Sequence, residues 1–140
     1  MVVVLDTNHF RELVEEGRAG GKLLANIDAH SADVFACIVA AEETVRGWLA
    51  LLNSRKPGHD QLSPYFEFQR SLEALAQFVI LPFDKEAADR FTQLRKQFPR
   101  AGSMDLKIAS ICLVHDAMLL SRNLADFEKV PGLRVVNWLD

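Results

Sequence analysis

The chain has 140 residues, of which 16 are basic, 19 acidic and 49% apolar, for a net charge of −3. That is ordinary globular usage, read here as a single domain over residues 1–140 with one sizeable core. It excludes a generally basic, nucleic-acid-coated surface, and no apolar stretch is long enough for a membrane span or preceded by a basic leader region, so the chain reads as cytoplasmic with no membrane partner.

The first element is the run Met1–Leu5, a strand buried on both faces because it does not alternate polar with apolar residues, and it ends on Asp6. A second β-rich run covers Val34–Val39. Two helical patterns follow over residues 40–53 and 62–78, joined by the polar turn "SRKPGHDQ". A third run spans Phe78–Pro82. In "DKEAADRFTQLRKQF", Ala87, Phe91, Leu94 and Phe98 share one helical face behind the N-cap Asp84, and in "SMDLKIASICLVH" Ser103 caps a well-buried helix. The last two runs are Ala117–Ser121 and Leu133–Trp138. Strands alternating with helices predict an α/β fold, a parallel sheet covered on both faces, with ligands bound beyond the carboxyl ends of the strands.

Asp6 falls on that edge, and other acids fall beside it. Glu42 and Glu43 follow the second strand, Asp105 lies in the first turn of the helix that begins at Ser103, and Asn123 and Asp126 occupy the connection after the fourth strand. Each alone has a plain structural explanation: aspartate starts turns, and acids in a first helical turn complement the macrodipole. Several carboxylates at one edge repel and raise one another's pKa values, and a divalent cation resolves this. Oxygen-only ligands suit Mg²⁺, with Mn²⁺ as a substitute, and disfavour zinc. One or two such ions (a pair standing about 3.5–4 Å apart) activate a water and stabilise the leaving oxygen in phosphodiester hydrolysis.

In order and spacing, "VVVLDTNHF", "IVAAEETVRGW", "GSMDLKIAS" and "LLSRNLADFEKVPGLRVVNW" resemble the motifs of the PIN-domain family, specifically its VapC-type ribonuclease toxins from bacterial toxin–antitoxin pairs. The resemblance implies a three-layer α/β/α fold around a central, mainly parallel five-stranded sheet. It implies a Mg²⁺-dependent endoribonuclease with Asp6, Glu43 and Asp105 as metal-binding acids; Gly47, four residues after Glu43, selects Glu43 over Glu42. The fourth position is Asn123, through its carbonyl oxygen, or Asp126. Thr7 and Asn8 would support Asp6 by hydrogen bonds, with Glu42 also behind the ligands. The resemblance further implies an RNA substrate, a cognate antitoxin and a homodimer.

Arg100, Arg122, Arg46 and Lys107 lie close in sequence to these acids and are the candidates for RNA contact, although Arg46 and Arg122 equally suit the balancing of carboxylates. His9 alone of the four histidines lies near the site, as a cap, a surface residue or a substrate contact. Cys37 and Cys112 sit inside apolar runs and read as buried small hydrophobes rather than a disulfide or zinc site. Trp48 suits either core packing or a partner surface. A haloacid-dehalogenase-like enzyme would need an aspartate where Asn8 stands, and no GxxxxGK[ST] loop is present. The non-enzyme alternative is a catalytically idle PIN fold that binds RNA or protein.

Overall fold

A computed structural model describes residues 1–140. The opening apolar run forms β1 (Val2–Leu5), and the chain then passes through α1 (Thr7–Glu15), α2 (Arg18–Ala29) and β2 (Asp33–Cys37). The helix α3 (Ile38–Ser54) follows, and a single 3-10 turn (His59–Gln61) leads into α4 (Leu62–Leu75) and β3 (Ile80–Leu81). The remainder is α5 (Lys85–Gln97), α6 (Ser103–Val114), β4 (Met118–Leu120), α7 (Leu124–Phe127) and β5 (Val135–Val136).

The five strands form one sheet in the order β3-β2-β1-β4-β5, parallel throughout. The central strand β1 pairs Val3 with Val34 on one side and Val4 with Leu119 on the other. Its side chains alternate between two cores. Val4 packs with Ile108, Ile111 and Leu119 beneath α5 and α6, whereas Val3 and Leu5 pack with Phe10, Leu23 and Leu120 beneath α1 and α2. All three are fully buried, each a contribution of about 1.5–3 kcal/mol. The result is the three-layer α/β/α architecture with the stiffest strand at its centre. The chain turns from β1 to β2 on one side and reaches β4 on the other, so the topological switch point lies at the carboxyl end of β1, where Asp6 stands.

The five predicted strands are present but shorter, most of all at the edges, where β3 and β5 keep two residues each, and β2 starts one residue early, at Asp33. Ile38 and Val39, predicted within the second strand, begin α3, because the apolar run continues through the strand–helix junction without a loop. Residues 7–32 carried no predicted element and form α1 and α2. Gly20 permits their close packing, since a Cβ there would run into the carbonyl of Glu12. Ser103 is the first residue of α6 rather than its cap: Gly102 holds the cap position, and the Ser103 hydroxyl accepts a hydrogen bond from Arg95 Nη2 at 2.7 Å. Asp126, expected on a loop, lies in the one-turn helix α7. No helix is long and apolar enough to cross a membrane.

Candidate functional site

The rim at the carboxyl ends of β1, β2 and β4 is built by short-range chain geometry. Leu5 is locked in the sheet, and the Asp6 N–H continues the ladder by donating to the Leu120 carbonyl at 3.1 Å. The Asp6 side chain caps α1, with Oδ1 accepting from the His9 backbone N–H at 2.8 Å, a cap worth about 1 kcal/mol. Oδ1 also contacts His9 Nδ1 at 3.1 Å, while Oδ2 has no hydrogen bond from the protein. Because no buried side-chain oxygen in the structure lacks a partner, Oδ2 reaches solvent. Capping a helix and presenting a carboxylate oxygen at the rim are therefore two uses of one side chain.

Glu43 comes from α3, and its Oε1 accepts from the Thr7 hydroxyl at 2.7 Å. Asp105 lies in the first turn of α6 and makes no side-chain hydrogen bond to the protein. Asp126 on α7 accepts from Asn123 Nδ2 at 2.9 Å. The convergence of the four acids is expressed in Asp105, whose carboxyl is raised above its ordinary value, first by desolvation and then by the negative charges of Glu43, Asp126 and Asp6. The same site reaches into the core: the Cys37 thiol, raised to about 11 chiefly by burial, also feels Glu43 and Asp6.

This donor set is all oxygen, drawn from four segments, with Oδ2 of Asp6 and both oxygens of Asp105 left unbonded by the protein. It suits a hard divalent cation. No three acidic, histidine or cysteine side chains close tightly around a single point. The constellation is an open one, of the kind that suits an ion holding several waters and only one or two carboxylates.

The other site residues distribute unevenly. Thr7 bonds Glu43 rather than Asp6, and Asn8 is exposed with no side-chain hydrogen bond. The group that holds Asp6 is His9, which is fully buried and so neither a surface residue nor a substrate contact. Asn123 donates its Nδ2 to Asp126, whose negative charge reaches Asp105. Glu42 pairs with Arg46 at 2.6 Å across one helical turn. Arg122 forks onto both oxygens of Asp140, at 3.0 and 3.2 Å, and stands 3.7 Å from Glu12. The Arg122 hydrogen bond, with Asn137, holds the Asp140 carboxyl at about 2. Arg95 binds the carbonyls of Phe98, Pro99 and Ala101 and so shapes the loop into α6.

Arg100 and Lys107 form no ion pair, and Arg100 lines a cleft of about 450 Å³ together with Asp105, Asp126, Phe98 and Lys129. Lys129 was not singled out from the sequence, because nothing in its spacing ties it to Asp105. On the far side of Glu43, Trp48 Nε1 donates to Ser71 Oγ at 3.0 Å, so this ring joins α3 to α4. Cys37 and Cys112 are both buried free thiols.

The model of the PIN domain family matches residues 3–133 of the chain. Among curated proteins, the tRNA(fMet)-specific endonuclease VapC of Salmonella typhimurium is 28% identical over 78 residues, which make up 50% of this chain and 59% of that protein. The matched segment thus spans less than two thirds of that relative. Among solved structures, DNA-bound VapBC from Salmonella typhimurium superimposes with a TM-score of 0.78 at 19% identity, covering 99% of this chain and 98% of that one. VapBC2 from Rickettsia felis, bound to a DNA fragment from its promoter, gives 0.76 at 21% identity with 99% of both chains covered. At such identities the likeness is one of fold.

Proposed function

The chain belongs to the PIN domain family, and from that premise we propose that it is a metal-dependent endoribonuclease, the toxin of a VapBC-type pair. The observation that supports this reading most is that Glu43, Asp126 and Asp6, from three other segments, all stand close enough for their negative charges to raise the Asp105 carboxyl. An idle binding module has no use for that mutual repulsion. Asp6, Glu43, Asp105 and Asp126 would hold Mg²⁺ or Mn²⁺, and the chemistry supplied there by a divalent ion is activation of water and neutralisation of charge in the displacement.

The protein's own residues then have separable tasks. Asp6 presents Oδ2 from the rigid end of β1, Thr7 fixes the rotamer of Glu43, and Asn123 fixes that of Asp126. Arg100 and Lys129 line the cleft beside Asp105 and would hold the RNA backbone. Arg46 is held by Glu42 and Arg122 by Asp140, and of the two only Arg122 also feels the charge of Asp6. The antitoxin and a second copy of this chain complete the proposed partners; the exposed Leu62, Tyr65, Phe66 and Leu72 of α4 would lie beneath one of them.

The test is incubation of purified, antitoxin-free protein with total RNA in Mg²⁺ or Mn²⁺, and again with excess chelator. Cleavage in the first condition alone supports the reading, and cleavage that survives the chelator contradicts it. Two variants refine it. Thr7→Val removes the donor to Glu43 at constant shape, and the initial cleavage rate is expected to fall about 10–100-fold with little change in thermal stability. Arg100→Ala is expected to weaken RNA binding, and to lower the slope of log affinity against log salt by about 0.7, as one lost phosphate contact to a single strand does.

A further inference from the structure

His9 is the least expected residue of the site. It is fully buried, one helical turn beyond Asp6, and both ring nitrogens are occupied. Nδ1 stands 3.1 Å from Asp6 Oδ1, and Nε2 lies 3.3 Å from the backbone nitrogen of Trp138. A backbone N–H only donates, so Nε2 must offer its lone pair and the ring proton must sit on Nδ1, aimed at Asp6. The contact with Asp6 is then a hydrogen bond of a defined tautomer, not an ion pair. The far end of the link is itself secured: the Trp138 carbonyl accepts from Asn26 Nδ2 at 3.3 Å, and the His30 ring stacks on the Trp138 indole at 4.6 Å.

We propose that His9 is a positioning residue: its Nδ1–H fixes the orientation of the Asp6 carboxylate so that Oδ2 faces the cation site, and its Nε2 ties that orientation to the segment after β5. The proposal rests on the metal-dependent reading of the site. Two donors, the His9 N–H and Nδ1–H, converge on Oδ1, which restricts rotation of the carboxylate and keeps the other oxygen outward. An imidazole behind a carboxylate in this way orients a ligand as surely as a carboxylate behind a ligating histidine does.

The two nitrogens are separable by substitution. In His9→Asn the amide Nδ2 takes the place of Nδ1–H and keeps the bond to Asp6, but the acceptor for Trp138 is lost. In His9→Gln the side-chain oxygen reaches toward the Trp138 N–H, and the donor to Asp6 is lost. Mn²⁺ affinity measured by calorimetry is expected to fall about 10–100-fold in His9→Gln, and His9→Asn is expected to restore it to within about threefold of wild type while melting at a lower temperature than His9→Gln. Affinities that simply follow the melting temperatures, or equal affinity in His9→Gln and wild type, would overturn the proposal. A wild-type chain that binds no Mn²⁺ would overturn the metal reading and this proposal with it. Should both variants fail to fold, nitrogen NMR of the metal-free wild type decides: a proton on Nδ1 and a bare Nε2 are expected, and a proton on Nε2 contradicts the assignment.

Discussion

Asp6→Asn is expected to lower RNA cleavage by about 10³-fold or more, a loss on the order of 4 kcal/mol of transition-state stabilisation, while the protein unfolds at nearly the wild-type temperature. Both halves of that expectation follow from the two oxygens. Asparagine caps helices as well as aspartate does, and its carbonyl oxygen keeps the bonds that Oδ1 accepts from the His9 N–H and Nδ1. What changes is the outward atom, where a charged oxygen becomes an amide N–H₂ that repels a cation. Asp6→Ala would lose the cap as well and mix a stability loss into the result. Wild-type cleavage by Asp6→Asn would remove Asp6 from the chemistry; an unfolded Asp6→Asn would return it to a structural role.

Asp105→Asn separates function from stability in the opposite direction. Cleavage is expected to be lost, yet the metal-free variant is expected to melt above the metal-free wild type. Desolvation and the charges of Glu43, Asp126 and Asp6 raise the Asp105 carboxyl above its ordinary value of 3.8. The folded state therefore holds the Asp105 proton more tightly than the unfolded chain does. Its destabilising share is complete above the raised folded value and eases as the pH falls toward 3.8, so the gap between the two proteins is expected to narrow on acidification. Calorimetric scans in chelator at several pH values measure this. A metal-free Asp105→Asn that melts below wild type at neutral pH would show that Asp105 stabilises the fold.

The sheet was legible because its strands are apolar runs with polar punctuation, the helices α3, α4 and α5 because they read as helical patterns between those runs, and α6 because it is apolar on nearly every side behind a polar start. The helices α1 and α2 were not, since "EEGRAGGK" combines charge with three glycines and low helix propensity. They form because Phe10 and Leu23 reach the core and Gly20 lets the pair approach closely. The acids were legible as strand-end and helix-start residues, since a parallel sheet turns sequence order into spatial convergence. Their supports were less so. Thr7 and Asn8 adjoin Asp6, but a helix begins at Thr7, so neighbours in sequence point in different directions, and Thr7 meets Glu43 from 36 residues away. The partner of His9 at Trp138 is 129 residues distant, beyond any local pattern. Arg46 pairs with Glu42 at helical spacing, which a sequence displays, whereas the Arg122–Asp140 fork depends on where the chain passes after β5.

The acids of this rim are proposed to hold a divalent cation. Titration of Mn²⁺ into the metal-free protein, followed by calorimetry, tests it without depending on which RNA is cleaved. Saturable binding by the wild type, lost in both Asp6→Asn and Asp105→Asn, is the expected result. No binding by the wild type, or binding undiminished in the two variants, would contradict it.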